Sequence, residues 1–97
     1  MSNNENVEDL LSDFIEIKSP GLLYDVVDSL NDFVKLGLIR QISGRVRLED
    51  IKRGLPFPDD IIEISLETIT NRTRYHLNCE TYHGMGGAFW RDGYDKK

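Results

Sequence analysis

Residues 61–81, IIEISLETITNRTRYHLNCET, decide the fold. Ile62, Ile64, Leu66 and Thr68 alternate with Glu63, Ser65 and Glu67, and after a short gap Thr73, Tyr75, Leu77, Cys79 and Thr81 alternate with Arg72, Arg74, His76, Asn78 and Glu80. A period of two sends the members of each set to one side of a pleated strand, so each run reads as a half-buried strand. With Thr70-Asn71 as a two-residue hairpin loop, one face opposes Leu66 with Tyr75, Ile64 with Leu77 and Ile62 with Cys79. The other opposes Glu67 with Arg74, Ser65 with His76 and Glu63 with Asn78. A four-residue loop keeps the same faces in alignment.

Toward the C-terminus, Ala88 to Arg91 supplies a third strand, reached through His83-Gly84-Met85-Gly86-Gly87, where glycine permits tight turning. In the other direction, Leu55-Pro56-Phe57-Pro58 is a stiff connector, because each proline fixes its own φ and biases the residue before it toward extended geometry. It divides a helical half, residues 7–54, from a sheet half, residues 55–92. The helical half opens with an amphipathic segment, Val7 to Ile17, with Leu10, Leu11, Phe14 and Ile15 on one stripe. A second helix is marked at both ends, by Ser19 and Pro20 at its start and Gly37 at its close. Leu22, Leu23, Val26, Val27, Leu30, Phe33 and Val34 form its core stripe. Leu38 to Ile42, the turn Ser43-Gly44 and Arg45 to Leu48 read as a short hairpin, followed by one helical turn over Glu49 to Arg53 closed by Gly54. The expected architecture is a single α+β domain, residues 1–97, with two N-terminal helices packed on a small antiparallel meander.

A chain of 97 residues has room for one core, and 39% hydrophobic with 30% charged residues is the balance of a chain that collapses. The net charge of −5 repels a phosphate backbone and favours a basic protein partner. Acids dominate up to Asp32, whereas Lys35, Arg40, Arg45, Arg47, Lys52 and Arg53 reverse the sign in the next stretch. Asp25, Asp28 and Asp32 lie one above another on the free face of the second helix, at a cost of a few tenths of a kcal/mol per pair. Either a basic partner or solubility alone accounts for such a stripe. Cys79 is the only cysteine, so the chain forms no internal disulfide, and a reducing compartment is the default. The start MSNNENVEDLL has neither a basic segment nor a long apolar one, and no apolar run approaches the roughly 18 residues of a membrane span, which points to the cytoplasm.

His76, Glu80 and His83 fall within a short stretch, and two histidines with a carboxylate suit acid–base chemistry. Strand spacing separates them: His76 and Glu80 share a face but stand about 13 Å apart along it, and His83 starts on the opposite face. The same separation disfavours a metal site, and neither an HxH nor a CxxC spacing is present. The glycines before Ala88 feed a strand and not a helix N-terminus, which argues against a phosphate cradle. No cofactor or metal is expected, and no catalytic set. Tyr82, Phe89 and Trp90 belong to the core or its rim, or else anchor a binding surface.

Two resemblances bear on function. Helix, then Gly37-Leu38-Ile39-Arg40, then Gly44-Arg45-Val46-Arg47-Leu48 resembles the end of a winged-helix DNA reader, over about a third of the chain. Asp25, Asp28 and Asp32 stand where base-contacting Arg or Asn would be needed. The segment Tyr82-His83-Gly84-Met85-Gly86-Gly87-Ala88-Phe89-Trp90, after a strand ending Asn78-Cys79-Glu80-Thr81, resembles the Tyr-His-Gly-x-Gly-Gly-x-x-Trp ending of small bacterial immunity proteins from polymorphic toxin and contact-dependent growth inhibition systems. That resemblance implies a small non-enzymatic protein that binds one cognate toxin domain, frequently a basic nuclease, and blocks its active site. The residues expected to meet the partner are Asp25, Asp28 and Asp32, then Glu63 and Glu67 on the exposed sheet face, with Tyr82, His83 and Trp90 as anchors. The alternatives are a winged-helix-like regulator and a small nuclease-like enzyme.

Overall fold

The computed structural model describes residues 11–81 and 86–93. Along the chain lie β1 (Phe14–Ile17), α1 (Pro20–Lys35), β2 (Ile39–Gly44), a 3-10 turn (Leu48–Asp50), β3 (Ile61–Thr68), β4 (Arg74–Glu80) and β5 (Gly86–Arg91). The strands form one five-stranded sheet in the order β1-β5-β4-β3-β2. Every neighbouring pair is antiparallel, so the two edge strands β1 and β2 run in the same direction. The connection between them must cross the whole sheet, and α1 makes that crossing.

The α+β class and the meander β3-β4-β5 follow the sequence reading, whereas the pair of N-terminal helices does not, and β2 joins the meander as a further strand. Phe14 to Ile17, expected in a first helix, is strand β1, paired from Phe14 with Trp90 to Ile17 with Gly87. A short helix is marginal by itself. As a strand, this segment completes the edge of β5, keeps the β-branched Ile15 and Ile17 in a favoured conformation and buries Ile17 entirely. The part of the expected helix before Leu11 lies outside the described residues. β1 and β2 bring residues of the expected helical half into the sheet.

α1 keeps its expected limits. Ser19 Oγ accepts the Leu22 N–H at 3.2 Å, and Pro20 occupies the first turn. Gly37, at φ 76°, closes the helix, with its N–H bonded to Val34 O and the Leu38 N–H bonded to Phe33 O. These two bonds are those of a Schellman motif. Leu23, Val26, Val27 and Leu30 are buried against Ile62, Ile64 and Leu66 of β3, Tyr75, Leu77 and Cys79 of β4, and Phe89 of β5. Burying a side chain of this size contributes about 1.5–3 kcal/mol. Tyr75 stacks on Phe89 with ring centroids 5.4 Å apart.

The β3–β4 register agrees pair for pair with the sequence reading, from Ile62 opposite Cys79 to Glu67 opposite Arg74. The hairpin closes through Thr68 N–H to Thr73 O, which leaves residues 69–72 as a four-residue loop. The hairpin expected over residues 38–48 is absent. β2 pairs with β3 alone, with a bulge between Gln41 and Ser43. The returning segment binds a side chain instead of a strand: Gln41 Nε2 donates to Val46 O at 2.8 Å, and Gln41 Oε1 accepts the Leu48 N–H at 2.8 Å. With these backbone groups satisfied, Val46, Leu48 and Ile51 turn into the core on the helix side. β5 begins at Gly86, so Gly86 and Gly87 are strand residues and not part of the expected loop. A Cβ at Gly87 would fall on the backbone carbonyl of Asn78, and the close approach of β4 therefore needs glycine at this place.

Candidate functional site

α1 and the segment after β2 cover one face of the sheet. On the other face the register aligns side chains in rows across the strands. Ser43, Ser65, His76, Trp90 and Phe14 form a central row. Arg40, Glu67 and Arg74 form a charged row on one side of it, and Glu63, Asn78, Ala88 and Glu16 a row on the other. Ile61, Glu80 and Gly86 make the last. Trp90, His76, Phe14, Ser65 and Ala88 are all partly exposed.

The central row is locked by directional contacts. His76 packs on Trp90 with ring centroids 5.4 Å apart, its Nδ1 lies 3.0 Å from Ser65 Oγ, and its Nε2 lies 3.0 Å from Asp92 Oδ1. A proton on Nε2 satisfies both polar contacts, donating to Asp92 and leaving Nδ1 to accept from the Ser65 hydroxyl. Asp92 is itself placed by its N–H bond to Arg74 O. A hydroxyl, an imidazole and a carboxylate so connected have the wiring of a serine nucleophile with its base. Ser65 stands in the middle of β3, paired with Ser43 on one side and His76 on the other.

Glu67 is not the exposed contact residue expected from alternation. It is 6% exposed, and Arg40 Nη2 lies 2.8 Å from its Oε1 and Arg74 Nε 3.8 Å from its Oε2. The hydrogen bond from Arg40 holds its carboxyl below the usual carboxylate range against the opposing effect of desolvation, with further help from the charges of Arg40, Arg74 and Arg72. Glu63 is exposed on the open face as expected, and neither it nor Glu80 makes an ion pair among the described residues.

The helix stripe is also less free than its sequence implied. Arg53 Nη2 lies 3.0 Å from both Asp25 and Asp28, with its guanidinium 5.2 Å from the centre of the Tyr24 ring. The hydrogen bonds to Asp28 and Asp25 raise the Arg53 pKa above its ordinary value. Asp32 keeps no ion pair among the described residues and lines an open groove of about 730 Å³ together with Lys35, Asp50, Lys52 and Glu49, the last paired with Arg47. Tyr82 and His83 lie outside the described residues. Of the expected contact residues, Glu63 and Trp90 therefore share one open surface, Asp25, Asp28 and Asp32 stand on the helix, and Glu67 is enclosed.

Sequence reasoning missed the His76 contacts and the Arg53 bridge. The pairing of Ser65 with His76 was already contained in the hairpin register, whereas bringing Trp90 and Asp92 beside His76 depends on how β5 docks. No sequence period encodes that docking. Comparison with protein-family models, with curated proteins and with solved structures finds no match to this chain.

Proposed function

We propose that the chain is a non-catalytic binding protein of the immunity class, which neutralises a cognate toxin domain by covering it with the open face of the sheet. The observation that carries this reading is Trp90. It sits partly exposed on the open face, on β5 beside the edge strand β1, packed against His76. Binding energy concentrates on such aromatic anchors when they are pre-organised and ringed by polar groups, because little side-chain freedom is lost on docking. The ending that resembles immunity proteins finishes on this residue. The winged-helix alternative loses its support, because residues 45–47 form no strand and the chain offers one helix among the described residues.

The reading is tested by co-expressing the chain with candidate toxin domains, first among them the product of any toxin gene found next to its own. Growth is expected to be restored by the wild type and lost with Trp90→Ala, whose truncation at an anchor position costs about 2 kcal/mol or more of binding energy. Failure of the wild-type chain to protect would refute it. The Ser65–His76–Asp92 connectivity favours a second reading, a small serine hydrolase. Turnover of p-nitrophenyl acetate by the purified chain, abolished in Ser65→Ala, would establish that reading in place of the first.

A further inference from the structure

We infer that the open face takes its partner by a cationic side chain, arginine or lysine, seated over Ala88 between the Trp90 ring and the carboxylates of Glu63, Glu80 and Glu16. The inference rests on the binding role proposed above and specifies the chemistry of the partner. It begins with side-chain size. Ala88 is flanked along β5 by Gly86 and Trp90 and across the sheet by Asn78 and Glu16. Gly86 and Ala88, in alternate positions on this face, put two short side chains next to Trp90. Strands repeat every 4.8 Å or so and same-face neighbours along a strand every 6.6 Å or so, which puts all three carboxylates within reach of a group seated there.

Charge complementarity then selects the occupant. At the far end of the face Glu67 is enclosed by Arg40 and Arg74 and offers nothing to a partner. At this end Glu63 and Glu80 have no cationic neighbour in contact among the described residues, and Glu16 has only a loose 3.8 Å contact with the exposed Lys18. An anion or a nucleic acid would meet uncompensated negative charge. An arginine or lysine would pair with the carboxylates and lie against the indole, where the ring quadrupole attracts a cation within about 6 Å of its centre. A protein that projects such a side chain is therefore the partner the surface fits.

Trp90 is the only tryptophan, so its emission reports the site directly. The full-length chain would be titrated with a hexa-arginine peptide while that emission is followed. A saturable, salt-sensitive change is expected, weakened at least about tenfold in Glu63→Lys/Glu80→Lys, since reversing two charges turns attraction into repulsion. Ala88→Leu puts bulk between Trp90 and the carboxylates without touching a charge and is expected to weaken the peptide as much, with far-ultraviolet circular dichroism verifying that both variants fold. Asp32→Lys/Asp50→Lys, on the helix side, is expected to leave the titration unchanged. Loss of binding in that variant alone, or tighter binding of single-stranded RNA than of the peptide, would overturn the inference. Toxin neutralisation that survives Glu63→Lys/Glu80→Lys and Ala88→Leu would also overturn it while leaving the immunity role standing. Peptide binding with no neutralisation by the wild type would do the reverse.

Discussion

Glu67 shows how a residue that looks exposed by alternation becomes structural. Its two neighbours across the sheet, Arg40 and Arg74, are long enough to fold over it, and they leave it 6% exposed. Because its folded pKa is depressed, chiefly by the Arg40 hydrogen bond, its contribution to stability is present above the ordinary carboxylate range and is lost as pH falls through the folded value. Glu67→Gln is expected to lower the melting temperature at neutral pH and to shrink the difference between neutral and acid melting temperatures. Thermal unfolding followed across that range checks both. Gly87→Ala should cost about 1–3 kcal/mol in urea unfolding, because the added methyl must push β4 away from β5. Cys79 is 1% exposed, and desolvation raises its thiol pKa, so a thiol reagent is expected to label it only as fast as the domain opens. The apolar partners of Cys79 were legible from alternation. The enclosure of Glu67 was not, since periodicity assigns a face and says nothing of how far neighbouring arginines reach.

At the scale of elements, legibility followed the locality of the signal. α1 was readable to its ends because its caps are local: Ser19 and the turn at Gly37 act through bonds spanning three to five positions, and Pro20 through its own fixed φ. Ser19→Ala is expected to destabilise the domain by about 1 kcal/mol, measurable as a shift in the urea midpoint with an unchanged slope. The β3–β4 register was readable for a similar reason, being fixed by a short loop and two coherent faces. β1 was not, because Leu11, Phe14 and Ile15 satisfy a helical stripe as well as a strand, and the choice was made by β5, whose paired residues lie 70 to 76 positions away in sequence. The missing 38–48 hairpin has a comparable cause, in that the side chain of Gln41 binds the backbone that a second strand would have bound. Neither competition leaves a mark on the hydrophobic period.

Over the whole molecule, the crossing of α1 from β1 to β2 decides which surface is left for function. Among the described residues, one helix and the segment after β2 cover a single face of a five-stranded sheet, and the opposite face presents its rows of side chains in fixed register. The sequence placed Glu63 and Trp90 in separate segments, and the sheet sets them on one side with His76, Ala88 and Glu80 between or beside them. The acidic stripe that dominated the sequence lies on the covering helix, where Arg53 already neutralises two of its members. No helix among the described residues is long and apolar enough to cross a membrane. The claim that the open face, and not the helix, meets the partner is tested most directly by acrylamide quenching of the single tryptophan in the free chain and in its complex with the toxin domain. Docking on the open face is expected to shield Trp90 and reduce its quenching several-fold on complex formation. Quenching that is the same in the free and bound chain would contradict the account.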